Sequence, residues 1–246
     1  IIIWPETSFE GSIPSETKLL SNISKKILKN KNTTLILGLL RTDEEKVFNS
    51  LIFLNSEGDI IHNYDKIKLV PFGEYIPLRQ YLGALTDILA PKDFTSGKLK
   101  SNPTVYGFEN IITLICYEIL FTNEIVKRLS KNTNLLINIT NDAWFGKTIG
   151  PYQHLALAKI KAVEFGLPLA RVANTGISAY VSPHGEIIGS IPLDIKGVKT
   201  FDLIPALDST LYKIYGEYIF LVLILILLII NTLYNINFKE EKLNEK

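Results

Sequence analysis

The chain has a single cysteine, Cys116, and no methionine. One cysteine cannot close an internal disulfide, so thiol count identifies no redox compartment and leaves Cys116 to meet any role alone. Charge of one sign is lacking too: 26 Lys and Arg against 25 Asp and Glu leave a formal net charge of +1. So weak a field recruits neither nucleic acid nor an acidic partner. No basic stripe, zinc-ligand spacing or aromatic RNA-binding motif is present, which argues against a nucleic-acid binder. Nothing in the sequence calls for a metal or a cofactor. It shows no N-terminal signal peptide, internal repeat or low-complexity segment.

What is there is an ordinary folded composition, 47% hydrophobic and 21% charged over 246 residues. That allows one large α/β domain or two small ones. The sequence opens inside an apolar, β-branched run, Ile1-Ile2-Ile3, which reads as mid-strand and leads us to expect part of a longer chain. Near the other end, Tyr218 to Ile230 is unbroken apolar sequence, extending to about Ile236 if Asn231, Thr232 and Asn235 are tolerated. That reaches the roughly twenty residues needed to span a bilayer. Tyr212, Tyr215 and Tyr218 on one side and Tyr234 on the other suit interfacial belts. The competing reading is a buried core helix. The expected organisation is a catalytic domain over 1–211, a membrane helix with flanks over 212–238 and a charged tail over 239–246.

Apolar runs of strand length are Ile1–Trp4, Leu35–Leu40, Val47–Leu54, Ile60–Tyr64, Ile111–Cys116, Leu135–Ile139, Ala170–Ala173, Ile177–Ser182 and Glu186–Ile191. Helices are expected over Ser15–Lys29, with Leu19, Leu20, Ile23, Ile27 and Leu28 on one face, and over Leu82–Leu89 and Thr122–Leu129. Ser15 and Thr122 are candidate caps. Pro151 suits the first turn of a helix to about Phe165, which Gly166 is placed to end. Lys66–Leu78 reads as an ordered loop, Ala90–Pro103 as an exposed one and Thr140–Ile149 as a polar and aromatic one. Strands too apolar to face water, interleaved with helices, predict an α/β sheet covered by helices.

Cys116 ends the run Ile111–Ile115, where a strand gives way to a turn. A nucleophile there is rigid yet reachable, and the following N–H, that of Tyr117, is free for an oxyanion. The alternative is a small buried hydrophobe. Glu6 follows Trp4-Pro5 at a strand end, and a half-buried carboxylate can have a raised pKa and act as a base. Lys66 or Lys68, turned inward beside Tyr64, would be a fixed positive charge. For each charged residue the alternative is a solvated surface position, and sequence spacing does not show that they converge.

Trp4-Pro5-Glu6, Tyr64–Glu74 and Ile115-Cys116-Tyr117-Glu118 resemble the nitrilase (carbon–nitrogen hydrolase) superfamily in its three-motif order. Val70–Pro77, Asn141–Lys147, Gly150–His154 and Arg171–Ser178 narrow the resemblance to the apolipoprotein N-acyltransferase family, over Ile1 to about Leu193. The resemblance implies a nitrilase-like α-β-β-α sandwich, incomplete at its N-terminus, followed by a transmembrane helix. It makes Glu6 the general base, Lys66 (rather than Lys68) the oxyanion stabiliser and Cys116 the nucleophile. Asn49, Glu74, Tyr117 and Glu118 match supporting positions, and Trp144 and Phe145 a loop near the acyl entrance.

The implied reaction is ping-pong: a phospholipid gives its acyl group to Cys116 as a thioester, and the N-terminal diacylglyceryl-cysteine of an apolipoprotein takes it. The implied place is the bacterial inner membrane, with the catalytic domain on the periplasmic face. Family members carry a membrane bundle, and a first strand and helix, ahead of the Trp-Pro-Glu strand. The expectation is therefore an exposed sheet edge and a separately encoded membrane bundle as partner. The competing readings are a nitrilase-type amidase acting on small amides, and an inactive or split fragment.

Overall fold

The computed structural model describes residues 1–82 and 93–244, so all but the first residue of the expected helix Leu82–Leu89 lies outside the described residues. Strands β1 (Ile2–Ile3), β2 (Ser12–Ile13), β3 (Leu35–Asp43), β4 (Lys46–Leu54) and β5 (Ile60–Asp65) make one sheet. Its order is β1-β3-β4-β5, with β2 also on β3. Strands β6 (Ile112–Ile115), β7 (Leu136–Asn141), β8 (Leu169–Asn174), β9 (Ser178–Val181) and β10 (Ile187–Ile191) make the second, ordered β10-β9-β8-β7-β6. The helices are α1 (Thr17–Ile27), α2 (Arg79–Leu82), α3 (Thr122–Val126), α4 (Gly150–Phe165), α5 (Leu211–Tyr215) and α6 (Tyr218–Asn244).

Alternation along the strands divides the apolar residues among three cores. Leu35, Leu37 and Leu39 point outward onto α1, while Ile36 points the other way. In the second sheet Ile112, Leu114 and Leu136 meet Leu155, Ala158, Ala162 and Phe165 of α4. Ile111, Ile115, Leu135, Ile137 and Ile139 face inward and pack with Ile36, Leu51, Phe53 and Tyr64 of the first sheet. The result is the expected α-β-β-α sandwich, and each fully buried Leu or Ile in it contributes roughly 1.5–3 kcal/mol.

Several local expectations need correction. The buried stripe of α1 continues as Leu20, Ser24 and Leu28, a four-residue step, and Leu19 and Ile27 face solvent. Ser15 does not cap that helix: its hydroxyl bonds Ser12 O, and the helix begins at Thr17. Thr122 lies inside α3, which Phe121 precedes, and its hydroxyl accepts from Lys161 Nζ at 2.7 Å. Gly166 does end α4, in the left-handed conformation that glycine adopts at least cost. Helix α6 is long and apolar enough over Tyr218–Asn235 to cross a membrane, and none of that window is buried inside the chain. The buried-core reading of this segment is therefore overturned.

Strand direction places the ends that matter. β1 runs parallel to β3, and β5 returns to that direction through two antiparallel steps. Glu6 after β1 and Lys66 after β5 thus emerge at one end of the first sheet. Cys116 and Asn141 emerge at the matching ends of the parallel strands β6 and β7.

Candidate active site

Glu6 sits where Pro5 has ended β1 and the chain bends back over β3. Gly38 makes room for that bend: a Cβ there would lie 2.7 Å from both Glu6 Cα and Pro5 O. The Glu6 carboxylate is buried and accepts from Asn49 Nδ2 at 2.7 Å and from the Asn141 backbone N–H at 2.6 Å. Burial pushes its pKa up, as does the neighbouring Glu74, against the pull of Lys66 and the two hydrogen bonds.

Burial separates the two lysines. Lys66 is 1% exposed, whereas the Lys68 side chain is 46% exposed and reaches Glu124 at 3.9 Å. Lys66 Nζ donates to Glu74 Oε1 at 2.9 Å and lies 3.9 Å from Glu6 Oε1. Burial works against its charge, but Cys116, Glu6 and Glu74 together outweigh that and hold the ammonium above its ordinary pKa. Asn49 Nδ2 also donates to Glu74 Oε1 at 3.0 Å, and Glu74 Oε2 accepts from Val70 N–H at 2.9 Å. Glu74 and Asn49 thereby fix both charged groups.

Cys116 follows β6 directly, begins a short 3₁₀ turn, Cys116–Leu120, and has φ of +55°. For a residue with a Cβ this costs on the order of 1–3 kcal/mol, a strain that a packed surround must hold. Glu118 supplies much of that hold. Its buried carboxylate accepts from the N–H groups of Ile115 (2.8 Å), Ile67 (2.7 Å) and Lys68 (3.0 Å) and from Tyr64 Oη (2.9 Å). One side chain so ties the Cys116 turn to the Lys66 loop. Cys116 is 8% exposed. Burial and then the Glu6 charge push its pKa up to about 11, against Lys66, the Thr140 hydroxyl and the Tyr117 N–H.

The aromatic loop divides. Trp144 is 83% exposed, whereas Phe145 lies 6.0 Å from the Tyr117 ring and 6.2 Å from that of His154. Glu6, Lys66, Cys116, Asn49, Glu74, Tyr117 and Glu118 therefore meet at one place, with Phe145 at its edge and Trp144 outside it. The Asn141 N–H and a buried polar group behind the sulfur, Asn138, Thr140, Asp142, His154 and Arg171, had no assigned role in the sequence reading. Their signal was available: an arginine in the otherwise apolar strand Leu169–Ala173 needs a buried acid. Among the described residues no cluster of His, Cys, Asp and Glu could hold a metal ion.

Such a site groups a buried carboxylate, a buried lysine and a thiol at a strained turn, groups that nucleophilic acyl transfer can use. The chain matches the family profile described as "Carbon-nitrogen hydrolase" over residues 1–209. It is similar to the apolipoprotein N-acyltransferase of Allorhizobium ampelinum, with 38% identity over 85% of this chain and 41% of that protein. Its counterpart from Rhizobium etli is 41% identical over 80% of this chain and 38% of its own. The chain thus spans about two fifths of the length of the curated relatives it matches. Among solved structures, an amidase from Nesterenkonia sp. shares the fold, with a TM-score of 0.54 at 19% identity over 78% of this chain and 73% of that one.

Proposed function

The chain belongs to the carbon–nitrogen hydrolase family, and from that premise we propose that it carries the acyl-transfer site of an apolipoprotein N-acyltransferase. Glu6 takes the thiol proton as Cys116 attacks the acyl ester of a phospholipid. Lys66 Nζ and the Tyr117 N–H stabilise the tetrahedral oxyanion, and the lysophospholipid leaves a Cys116 thioester. The α-amine of an apolipoprotein's diacylglyceryl-cysteine then attacks, with Glu6 again moving the proton.

The observation that carries this reading is the pairing of the Glu6–Lys66–Cys116 site with an apolar helix whose Tyr218–Asn235 window is not buried among the described residues. Both substrates are lipid-anchored, so the site must stay at a bilayer surface, and α6 is fitted to hold it there. The arrangement we propose is a catalytic domain over 1–211, the anchor over 212–238 and the tail over 239–246. The domain lies on the periplasmic face of a bacterial inner membrane, with Trp144 and Phe145 beside the acyl entrance.

The test is incubation with phospholipid vesicles followed by intact-mass measurement. The expected result is an acyl adduct that vanishes in Cys116→Ala. An adduct that forms only when the membrane bundle of a relative is supplied supports the acyl-transfer reading and means that the site needs the bundle to reach its donor. No adduct in either case, with ammonia released from small amides, overturns the reading in favour of an amidase.

A further inference from the structure

The buried polar group beside Cys116 reaches the nucleophile's turn through one side chain. Asn138 is fully buried on β7, on the face that carries Leu136 beneath α4, and stands opposite Leu114 in the β6–β7 register. Its Nδ2 donates to two carbonyls that flank the bend, Leu114 O at 3.3 Å and Cys116 O at 3.1 Å. Its Oδ1 accepts from Arg171 Nη1. A guanidinium only donates, so the reverse orientation of the amide would set N–H₂ against N–H and oxygen against both carbonyls. The partners thus fix which way Asn138 points.

Arg171 puts a charge behind that contact. Its Nη2 lies 2.8 Å from Asp142 Oδ2 and 3.0 Å from His154 Nδ1, with the Asp142 and Arg171 side chains both 0% exposed. In front of the contact is a single peptide unit, because the Cys116 carbonyl and the Tyr117 N–H share one resonant C–N bond. A hydrogen bond accepted by that oxygen leaves the N–H more positive, so each bond of the series strengthens the next. Tyr117 is the second residue of the 3₁₀ turn Cys116–Leu120, ahead of the first N–H that can bond within it. The turn therefore leaves this polarised N–H for another acceptor.

We propose that Asn138 is a positioning residue for acyl transfer, which holds the Cys116–Tyr117 peptide in place and relays the Arg171 charge through it to the Tyr117 N–H. The inference rests on the reading of that N–H as an oxyanion donor. Its consequence is selective. Acylation of Cys116 builds a negative oxygen and feels the strength of the donor, whereas alkylation at a saturated carbon builds none.

The experiment compares the two reactions in the full chain in detergent micelles. With p-nitrophenyl butyrate the thiol proton goes to Glu6, an S–C bond forms, the ester C–O bond breaks and p-nitrophenolate leaves as a burst. With iodoacetamide the same sulfur gains an S–C bond and iodide leaves, followed by intact mass. Cys116→Ala gives the background for both. Asn138→Leu keeps the volume and removes both amide donors. One oxyanion donor is worth about 100–1,000-fold in rate, and one upstream hydrogen bond strengthens it by roughly 10–30%, so the burst slows about two- to eightfold while alkylation holds its rate. An amide that only packs lowers the unfolding midpoint and leaves the ratio of the two rates in place. That outcome overturns the proposal, and so does equal slowing of both reactions. Should the leucine variant fail to fold, Asn138→Val decides on the same ratio. A wild-type chain without a Cys116-dependent burst sinks the acyl-transfer reading and the proposal with it, whereas a wild-type burst that the variants match sinks the proposal alone.

Discussion

The backbone N–H of Asn141 donates to Glu6 Oε2 at 2.6 Å across 135 residues of sequence. The candidate base is carried by the first sheet, yet it is oriented by the end of β7 in the second. Site geometry is therefore a property of how the sheets pack, and the apolar layer between them sets the Glu6–Cys116 relation.

A cavity in that layer is expected to reach the site. Ile139→Ala removes a fully buried side chain from the inter-sheet core, two residues before Asn141. The expected cost is about 2–5 kcal/mol by denaturant unfolding, with slower Cys116 alkylation in the fraction that stays folded. An equal truncation on the outer face, Leu37→Ala, is expected to cost as much and leave alkylation alone. Equal alkylation losses from both would separate site geometry from sheet packing.

The thiol gives a signed pH effect. In the folded chain Cys116 ionises near 11, against an ordinary 9.0. Between those values the folded state keeps a proton that the unfolded state has lost, so stability falls as pH rises through that window. Wild type is expected to lose on the order of 2 kcal/mol more than Cys116→Ala between pH 9 and 11. Parallel losses in the two proteins would mean the folded thiol is not raised.

Glu74 anchors the cation rather than the reacting atoms. Glu74→Gln keeps the shape but turns an amide N–H₂ toward either Lys66 Nζ or the Val70 N–H, both donors. Lys66 then loses its 2.9 Å partner and is drawn toward Glu6. Acyl-adduct formation is expected to fall about 10–100-fold, the effect of roughly 1.4–2.7 kcal/mol at the transition state. An unchanged rate would show that Glu74 only packs.

Much of this was legible in the sequence, for a physical reason. Runs such as Leu35–Leu40 and Ile111–Ile115 are too apolar for anything but a covered strand, and Pro151 and Gly166 bracket α4 as local rules require. That residues 6, 66 and 116 meet was expected only through resemblance, because spacing alone does not bring them together. What could not be read was tertiary: which face of α1 is buried, and that Thr140, Asp142 and Arg171 share one buried group. Those depend on β7 and β8 lying side by side in register, Asn138 opposite Arg171.

That buried group makes its own stability prediction. Removing one member of the Asp142–Arg171 pair strands an uncompensated charge, so Asp142→Asn and Arg171→Met are each expected to cost about 3–5 kcal/mol. The double variant leaves no buried charge from the pair and is expected to cost less than the sum. Asp142 also signs the acid limb: its folded pKa lies below 3.8, so its contribution is present above that value and is lost as pH falls through the depressed one. Additive single costs in a double-mutant cycle would mean that the two charges do not act as a pair.

Helix α6 is expected to be separable from the fold. Tyr212 of α5 packs edge-on against Phe165 at 5.8 Å, so α5 belongs to the sandwich, whereas none of Tyr218–Asn235 is buried. A chain ending at Gly216 keeps every core residue named above and removes a surface whose exposure to water is unfavourable. Its unfolding midpoint is expected to match the full chain's within about 0.5 kcal/mol, the range for changes away from packed groups. The full chain should pellet with vesicles and resist alkaline carbonate extraction, while the shortened chain stays in the supernatant. Cys116 alkylation should be the same in both, because the site draws no residue from α6, but acyl transfer from vesicle phospholipid should drop with membrane attachment. Equal transfer by the shortened chain would mean that the helix does not hold the site to its donor.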